Sequence, residues 1–151
     1  MDQVLGPTIR PANSGRLQDV VGITRIYNDA VLHTTAIWNN TVADESNRRA
    51  WIGERNAQGF PVLIAVENDE VLGYATFGPF RPHDGYRHTA KNSIYVRSDQ
   101  RRRGIAGIEA ENMASIRLNE HFGFHEVGRL PEGGKNSTDG SIVFMQKTIE
   151  P

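Results

Sequence analysis

A short basic segment in the second half of the chain has the residue types of a phosphate-binding loop. Residues 101–106 read Arg-Arg-Arg-Gly-Ile-Ala, which fits the pattern Arg/Gln-x-x-Gly-x-Gly/Ala. A glycine lets the backbone approach a ligand closely, and free N–H groups at the start of a helix bind anions. The three arginines add charged donors for phosphate oxygens. Taken alone, the pattern is equally compatible with a solvated basic turn.

The residues before this loop predict a strand that would position it. Ser93 to Val96 is a β-branched and aromatic run, and the polar residues 97–100 form a turn that leads into the loop. Further along, Asn112 suits a helix N-cap and Gly123 suits the glycine that ends that helix. The predicted order is therefore strand, turn and anion loop, with a helix after it.

The remaining elements follow from apolar periodicity and turn residues. We expect strands over 8–10, 61–67, 71–77, 124–130 and 141–149, and helices over 17–32 and 44–57. Ser14 is predicted to cap the first helix, while Asp44 begins the second and Gly59 ends it. Residues 68–70 would close a β-hairpin. No internal repeat or linker divides the chain, which predicts one domain over residues 1–151.

Composition excludes several classes of function. The 151 residues carry a net charge of -1 with a pI near 6.5, which argues against a nucleic-acid or anionic-membrane partner. The absence of cysteine excludes a disulfide framework, a thiolate metal site and a cysteine nucleophile. Neither a signal sequence nor an apolar window of membrane-spanning length is present, so we expect a soluble cytoplasmic protein.

The connection Gly78 to His88 is rich in groups that bind charged ligands. It reads Gly-Pro-Phe-Arg-Pro-His-Asp-Gly-Tyr-Arg-His. A loop of this composition in a compact domain is more often functional than a simple connection. The alternative is a solvated connection held by two prolines.

Seven segments together form a combination typical of one enzyme superfamily. They are residues 26–39, 47–51, 59–63, 72–82, 85–89, 93–96 and 110–118, and include Gly85-Tyr-Arg-His-Thr89 and Ser93-Ile-Tyr-Val96. Through them the chain resembles the GNAT acetyl-CoA-dependent N-acetyltransferases, specifically the phosphinothricin or methionine sulfoximine acetyltransferase branch. The resemblance implies an α/β (α+β) fold with a mixed central sheet flanked by helices. It also implies a homodimer and acetyl transfer to a small-molecule amine.

The resemblance further implies roles for individual residues. The backbone of Ile94, Tyr95 and Val96 would bind the pantetheine arm of acetyl-CoA, and Asn112 would reach it from the other side. The pyrophosphate would lie in the loop formed by Arg101, Arg102, Arg103, Gly104, Ile105 and Ala106. The amino-acid substrate would be held by Arg81, Pro82 and His83 together with Lys91, Asn92 and Ser93.

Lys91 is the first departure from the pattern of this branch. The position that Lys91 occupies in Thr89-Ala-Lys-Asn-Ser-Ile-Tyr-Val96 holds a glutamate, the expected general base, in the related sequences. A lysine is almost wholly protonated near neutral pH and cannot simply replace a carboxylate base. We therefore expect weak activity or a different substrate, unless His83, His88 or Glu109 is the base. A non-catalytic acyl-CoA-binding relic is the alternative function.

The second departure is a gap directly after the anion loop. In the related fold this loop opens a full helix followed by a strand, whereas here Gly107 follows Ala106 at once. About twenty residues are therefore absent. Three explanations are open. The segment exists in the protein but is missing from the recorded sequence, or the deletion is real and residues 105–122 form one fused helix. In the third, the gene is damaged and the protein it encodes folds poorly. A third departure is the polar stretch 135–141, which replaces an aromatic and basic segment near the substrate.

Overall fold

The described part of the chain forms a four-stranded sheet covered by two helices, with a separate strand pair. A computed structural model describes residues 6–34, 37, 40–100, 120, 121, 123–130 and 142–147. The strands are β1 (Thr8–Pro11), β2 (Val62–Glu67), β3 (Glu70–Pro79), β4 (Ala90–Val96), β5 (His125–Leu130) and β6 (Ile142–Gln146), and the helices are α1 (Leu17–His33) and α2 (Glu45–Ala57). Strands β1 to β4 pair in sequence order, and β5 pairs with β6. These pairings are all antiparallel, so the described strands alone do not show a mixed sheet.

The start of α1 differs from the sequence prediction. Arg16 is the N-cap residue and makes no side-chain cap hydrogen bond, so the assignment of Ser14 as the cap was wrong. Asn13 organises the turn instead, because its side-chain oxygen accepts a hydrogen bond from the Gly15 N–H at 2.8 Å and its carbonyl accepts one from Arg16. Ser14 therefore lies in this turn, two residues before the N-cap position.

The second helix and the hairpin agree with the sequence prediction. The Asp44 carboxylate accepts a hydrogen bond from the Asn47 N–H at 2.7 Å, and Gly59 has a positive φ of 78° after the helix ends. The turn between β2 and β3 has positive φ at Asn68 and Asp69, which matches the twist of a tight hairpin.

The core lies between the helices and one face of the sheet. Its most buried members include Val20 and Ile23 of α1, Ile52 of α2 and Val62 and Ile64 of β2. Alternate residues of a strand share a face, so this face of β2 faces the helices. The face that contacts α1 and α2 is called the helix face below.

Several predicted features lie outside the described residues. They are the anion loop 101–106, Asn112, the junction of Ala106 with Gly107, and the stretch 135–141. Gly123 is described, and its φ of 82° and its hydrogen bond to the Glu120 carbonyl agree with the predicted helix-ending glycine.

Candidate active site

Strand β4 divides the predicted site residues between two faces. Tyr95 lies opposite Tyr74, which belongs to the core on the helix face. Because directly opposite residues of an antiparallel pair share a face, Lys91, Ser93 and Tyr95 lie on the helix face. Asn92, Ile94 and Val96 lie on the other face. The predicted substrate residues Lys91, Asn92 and Ser93 therefore do not all face the same space.

The outer edge of β4 has no strand partner in the described part of the chain, and an extended ligand would pair with it there. Among the described residues β4 pairs only with β3, along its full length from Ala90 to Val96. A strand edge presents backbone N–H and C=O groups that an extended chain can pair with. From Lys91 to Val96 this edge is about 17 Å long.

The two ends of β4 lead to different predicted binding regions. Lys91 is paired with Gly78, next to the loop that contains Arg81 and His83. Beyond Val96 the chain forms a 3₁₀ turn over Ser98–Gln100 and enters the anion loop. An extended ligand along the β4 edge would therefore join the two regions.

The loop between β3 and β4 is ordered by aromatic packing and backbone hydrogen bonds. Phe80 and Tyr86 pack edge to face with ring centroids 5.5 Å apart, and the Arg81 guanidinium lies 5.1 Å from the Phe80 centroid. Tyr86 donates to the His83 carbonyl at 2.9 Å, and Thr89 donates to the Tyr86 carbonyl at 2.8 Å. Arg81, Pro82 and His83 are all exposed, as a solvent-accessible binding loop requires.

An aromatic cluster with an embedded arginine lies on the helix face around Tyr74 and Tyr95, and sequence patterns did not reveal it. The Tyr74 ring lies 5.1 Å from that of Tyr95 and 6.1 Å from that of Trp51. The Arg48 guanidinium lies over the Tyr27 and Trp51 rings at 4.3 and 4.9 Å. Burial raises the pKa of both Tyr74 and Tyr95, so neither hydroxyl is a base near neutral pH.

Arg97 fixes the chain where β4 ends. Its backbone N–H donates to the Leu72 carbonyl at 2.8 Å. Its guanidinium donates to both carboxylate oxygens of Asp99, at 2.6 and 3.1 Å, and to Glu70 at 3.0 Å. The hydrogen bond from Arg97 lowers the pKa of Asp99. The β2–β3 turn is thereby tied to the segment that leads into the anion loop.

Comparison with known proteins identifies the family. The sequence profile of the Acetyltransferase (GNAT) family matches residues 23–108, which is more than half of the chain. The chain belongs to the GNAT family. The acetyl donor of this family is acetyl-CoA, in agreement with the sequence prediction.

Three similar proteins show the relationship in detail. An L-methionine sulfoximine/L-methionine sulfone acetyltransferase of Pseudomonas aeruginosa is 42% identical, over 88% of this chain and 91% of that protein. A Salmonella typhimurium structure determined with acetyl-CoA has a TM-score of 0.86 and 38% identity, covering 97% of this chain and 95% of the other. A phosphinothricin acetyltransferase from Sinorhizobium meliloti, in complex with acetyl-CoA, has a TM-score of 0.82 and 25% identity, covering 95% of this chain and 88% of the other.

The alignment lengths also bear on the predicted gap. The alignment with the Pseudomonas protein is 156 positions long. It includes 88% of the 151 residues of this chain, which is about 133 residues. About 23 positions of the alignment, 156 less 133, therefore have no counterpart in this chain. This number agrees with the roughly twenty residues of a helix and a strand.

No helix in the described ranges is both long enough and apolar enough to span a bilayer.

Proposed function

We propose that this GNAT-family protein transfers the acetyl group of acetyl-CoA to the α-amine of a small amino-acid analogue of the methionine sulfoximine or phosphinothricin type. The observation that supports this most directly is the edge of β4, which pairs with nothing else among the described residues and runs from the Lys91 end to the anion loop. The relative from Pseudomonas supports the acceptor class, since it is named for methionine sulfoximine and methionine sulfone.

Separate segments of the chain bind separate parts of acetyl-CoA. Acetyl-CoA supplies an activated thioester, whose carbonyl carbon forms a C–N bond with the amine while its C–S bond breaks. The backbone of Ile94, Tyr95 and Val96 holds the pantetheine arm as an added strand. The loop 101–106 holds the pyrophosphate through main-chain N–H groups and arginine side chains, and Asn112 contacts the pantetheine.

Acceptor binding and proton transfer belong to the Lys91 end of β4. Arg81, Pro82, His83 and Ser93 hold the amino-acid acceptor, and a backbone N–H stabilises the developing oxyanion. Asn92, predicted with them, lies on the other face of β4 and is left out of this set. The attacking ammonium must lose a proton first. Lys91 stands at the base position of the family, and a lysine cannot simply replace a carboxylate base, so proton removal is slow unless His83, His88 or Glu109 serves as base.

We propose the cellular setting together with the activity. The protein acts in the cytoplasm as a homodimer on a small-molecule amine, with neither nucleic acid nor a membrane as a partner. The composition supports the absence of a nucleic-acid or membrane partner, because the net charge is -1 and the arginine cluster spans only residues 101–103.

The assay of the purified full-length chain is thiol release from acetyl-CoA. Methionine sulfone, methionine sulfoximine and phosphinothricin are offered in turn, with N-acetylmethionine sulfone as the control that lacks a free amine. We expect thiol release with at least one free amine and none with the control, matched by a product that gains one acetyl group. An absence of turnover with all three amines at millimolar concentration would contradict the proposal.

The alternative function, a non-catalytic acyl-CoA-binding relic, is not favoured. Relatives about 40% identical over most of this chain are named acetyltransferases. A relic would bind acetyl-CoA in calorimetry, with no thiol release from any amine. The same assay, run beside calorimetry, distinguishes the two.

Replacing Arg97 by methionine tests how the anion loop is positioned. We expect the KM for acetyl-CoA to rise about threefold, since exposed ion pairs contribute up to about 1 kcal/mol. The kcat at saturating acetyl-CoA should stay unchanged, and the difference in KM should shrink at high salt because of charge screening. Arg97→Lys should recover part of the effect. Arg25→Met, at an exposed position of α1, is the matched control, and an equal rise in KM there would contradict the role of Arg97.

A further inference from the structure

The Arg55 guanidinium occupies the space where Gly78 has no side chain. A Cβ built at Gly78 would lie 1.7 Å from Nη1, 2.5 Å from Cζ and 2.7 Å from Nη2 of Arg55. Nη1 also donates to the Phe77 carbonyl at 3.3 Å, and the guanidinium lies 5.8 Å from the centroid of the Trp51 ring. The glycine therefore allows α2 to place a half-buried cation directly against β3.

This cation lies beside Lys91. Gly78 is the partner of Lys91 across β3 and β4, so both positions face the helices. The Cβ atoms of such partners are about 5 Å apart, which puts the guanidinium within roughly 7 Å of the Lys91 Cβ. Among the ion pairs of the described residues, none involves Arg55 or Lys91. Two neighbouring cations repel each other unless an anion lies between them.

We propose that Arg55 and Lys91 form a binding site for an oxyanion of the acceptor substrate, which makes Arg55 a specificity-determining residue. The planar guanidinium matches a carboxylate or phosphinate in two parallel hydrogen bonds, and the lysine adds a mobile charge. This inference rests on the proposed function, because the oxyanion is that of the acceptor amino acid. Arg55 and Lys91 together favour acceptors that contain an anionic group and disfavour simple amines.

The site also gives Lys91 a role that does not require proton abstraction. An anion bound between the two cations neutralises their repulsion, and the α-amine stays near position 91 because it shares a carbon with the α-carboxylate. Arg81, the guanidinium predicted from sequence, lies instead on the exposed loop against Phe80. The acceptor is thus contacted from α2 by Arg55, from β4 by Lys91 and from the loop by Arg81.

Gly78→Ala tests the site without touching either cation. The backbone of Gly78 is not in the left-handed region, and the added methyl group meets only the end of a flexible side chain. We therefore expect a folded protein whose guanidinium is displaced. The KM for the acceptor should rise about tenfold, as for loss of a charge-assisted hydrogen bond. The KM for acetyl-CoA should change less than twofold.

Arg55→Met should reproduce this rise, and the double variant should be no worse than Arg55→Met alone. Such non-additivity shows that both changes act on one group. Gly53→Ala, whose added methyl group would meet nothing, and Arg25→Met are the matched controls. Thermal unfolding verifies that each variant is folded. An unchanged acceptor KM in folded Gly78→Ala or Arg55→Met would overturn the proposal.

Binding to the wild-type protein gives a test that needs neither variants nor turnover. Calorimetry compares methionine sulfone with its carboxamide, which lacks the carboxylate. We expect the acid to bind at least about tenfold more tightly, with this preference lost in Arg55→Met. Phosphinothricin and its carboxamide form the second arm. If methionine sulfone binds more tightly than its carboxamide, the site binds the carboxylate. If acid and carboxamide bind equally in both pairs but Arg55→Met loses affinity for phosphinothricin, the site binds the phosphinate.

The remaining outcomes separate this inference from the proposed function. Acid and amide that bind equally in both pairs, with affinities unaffected by Arg55→Met, would overturn the oxyanion site. Undetectable binding of all four compounds would overturn it as well. Oxyanion-dependent binding without thiol release would overturn the proposed acetyl transfer and leave the site standing.

Discussion

Replacing Lys91 by glutamate is expected to raise kcat about 100-fold, because a positioned general base contributes about a hundred- to ten-thousandfold to such a step. The side chain would face the helices at the Lys91 end of β4, where the acceptor amine is expected. The KM for the acceptor should rise at the same time, since the new carboxylate repels the oxyanion held by Arg55. Initial rates at varied acceptor concentration separate the two effects.

Lys91→Gln is the matched variant, because it removes the charge without supplying a base. It should raise the acceptor KM and leave kcat within about threefold, as expected when ground state and transition state lose the same binding energy. The rate of Lys91→Glu should also increase with pH on the acid side, as its carboxyl ionises. A kcat that falls in Lys91→Glu would mean that position 91 is not close to the reacting amine in this protein.

Replacing Asp19 by alanine is expected to lower the free energy of unfolding by about 3 kcal/mol, because breaking a buried ion pair leaves its partner uncompensated. The Asp19 side chain is 1% exposed, and its two oxygens accept hydrogen bonds from the Arg10 guanidinium, both at 2.7 Å. The Asn13 N–H donates to it at 3.0 Å. Urea unfolding of the variant measures the loss, and Glu54→Ala on the exposed side of α2 should change stability by less than about 0.5 kcal/mol.

The contribution of Asp19 should depend on pH in a defined direction. Burial opposes ionisation of this carboxyl, but the hydrogen bonds from Arg10 and Asn13 and the charges of Arg10 and Arg16 outweigh it, and the pKa is lowered. A carboxyl with a lowered pKa stabilises the fold above its unfolded pKa of about 3.9. This stabilisation is lost as the pH falls through the lower, folded pKa. The stability difference between wild type and Asp19→Ala should therefore be constant near neutral pH and shrink in acid; a constant difference down to pH 2 would contradict the ion pair.

Local sequence signals predicted the elements whose stability is decided within a few residues. The Asp44 side chain caps the start of α2, and Gly59 follows its end with a positive φ. Asn68 and Asp69 close the hairpin, also with positive φ. Ser14 is not the cap because α1 begins at Leu17 with Arg16 at the N-cap position, two residues after Ser14. Several polar residues precede this helix, and the pattern alone does not choose which one stands at the N-cap position.

Contacts between distant segments of the chain could not be predicted from such local signals. Arg55 meets the backbone of Phe77 and Gly78 only because α2 crosses the end of β3, and Arg97 meets Glu70 only because β4 pairs with β3. The stacking of Arg48 on Tyr27 likewise joins two helices. The sequence prediction made Gly78 the first residue of a connection, whereas the structure places it inside β3, where a glycine permits a close approach by another group.

The sequence by itself determined the types of the described elements and membership of the GNAT family, because these depend on residue types at short, fixed spacing. It also predicted an anion loop after β4 and singled out Lys91 as a departure from the pattern of the related acetyltransferases. The tertiary structure alone decided which neighbours Lys91 has. The register of β3 against β4 puts Lys91 on the helix face opposite Gly78, beside the guanidinium that α2 brings there. A shift of one residue would turn Lys91 to the opposite face, and that register is set by packing across the sheet rather than by the residues around position 91.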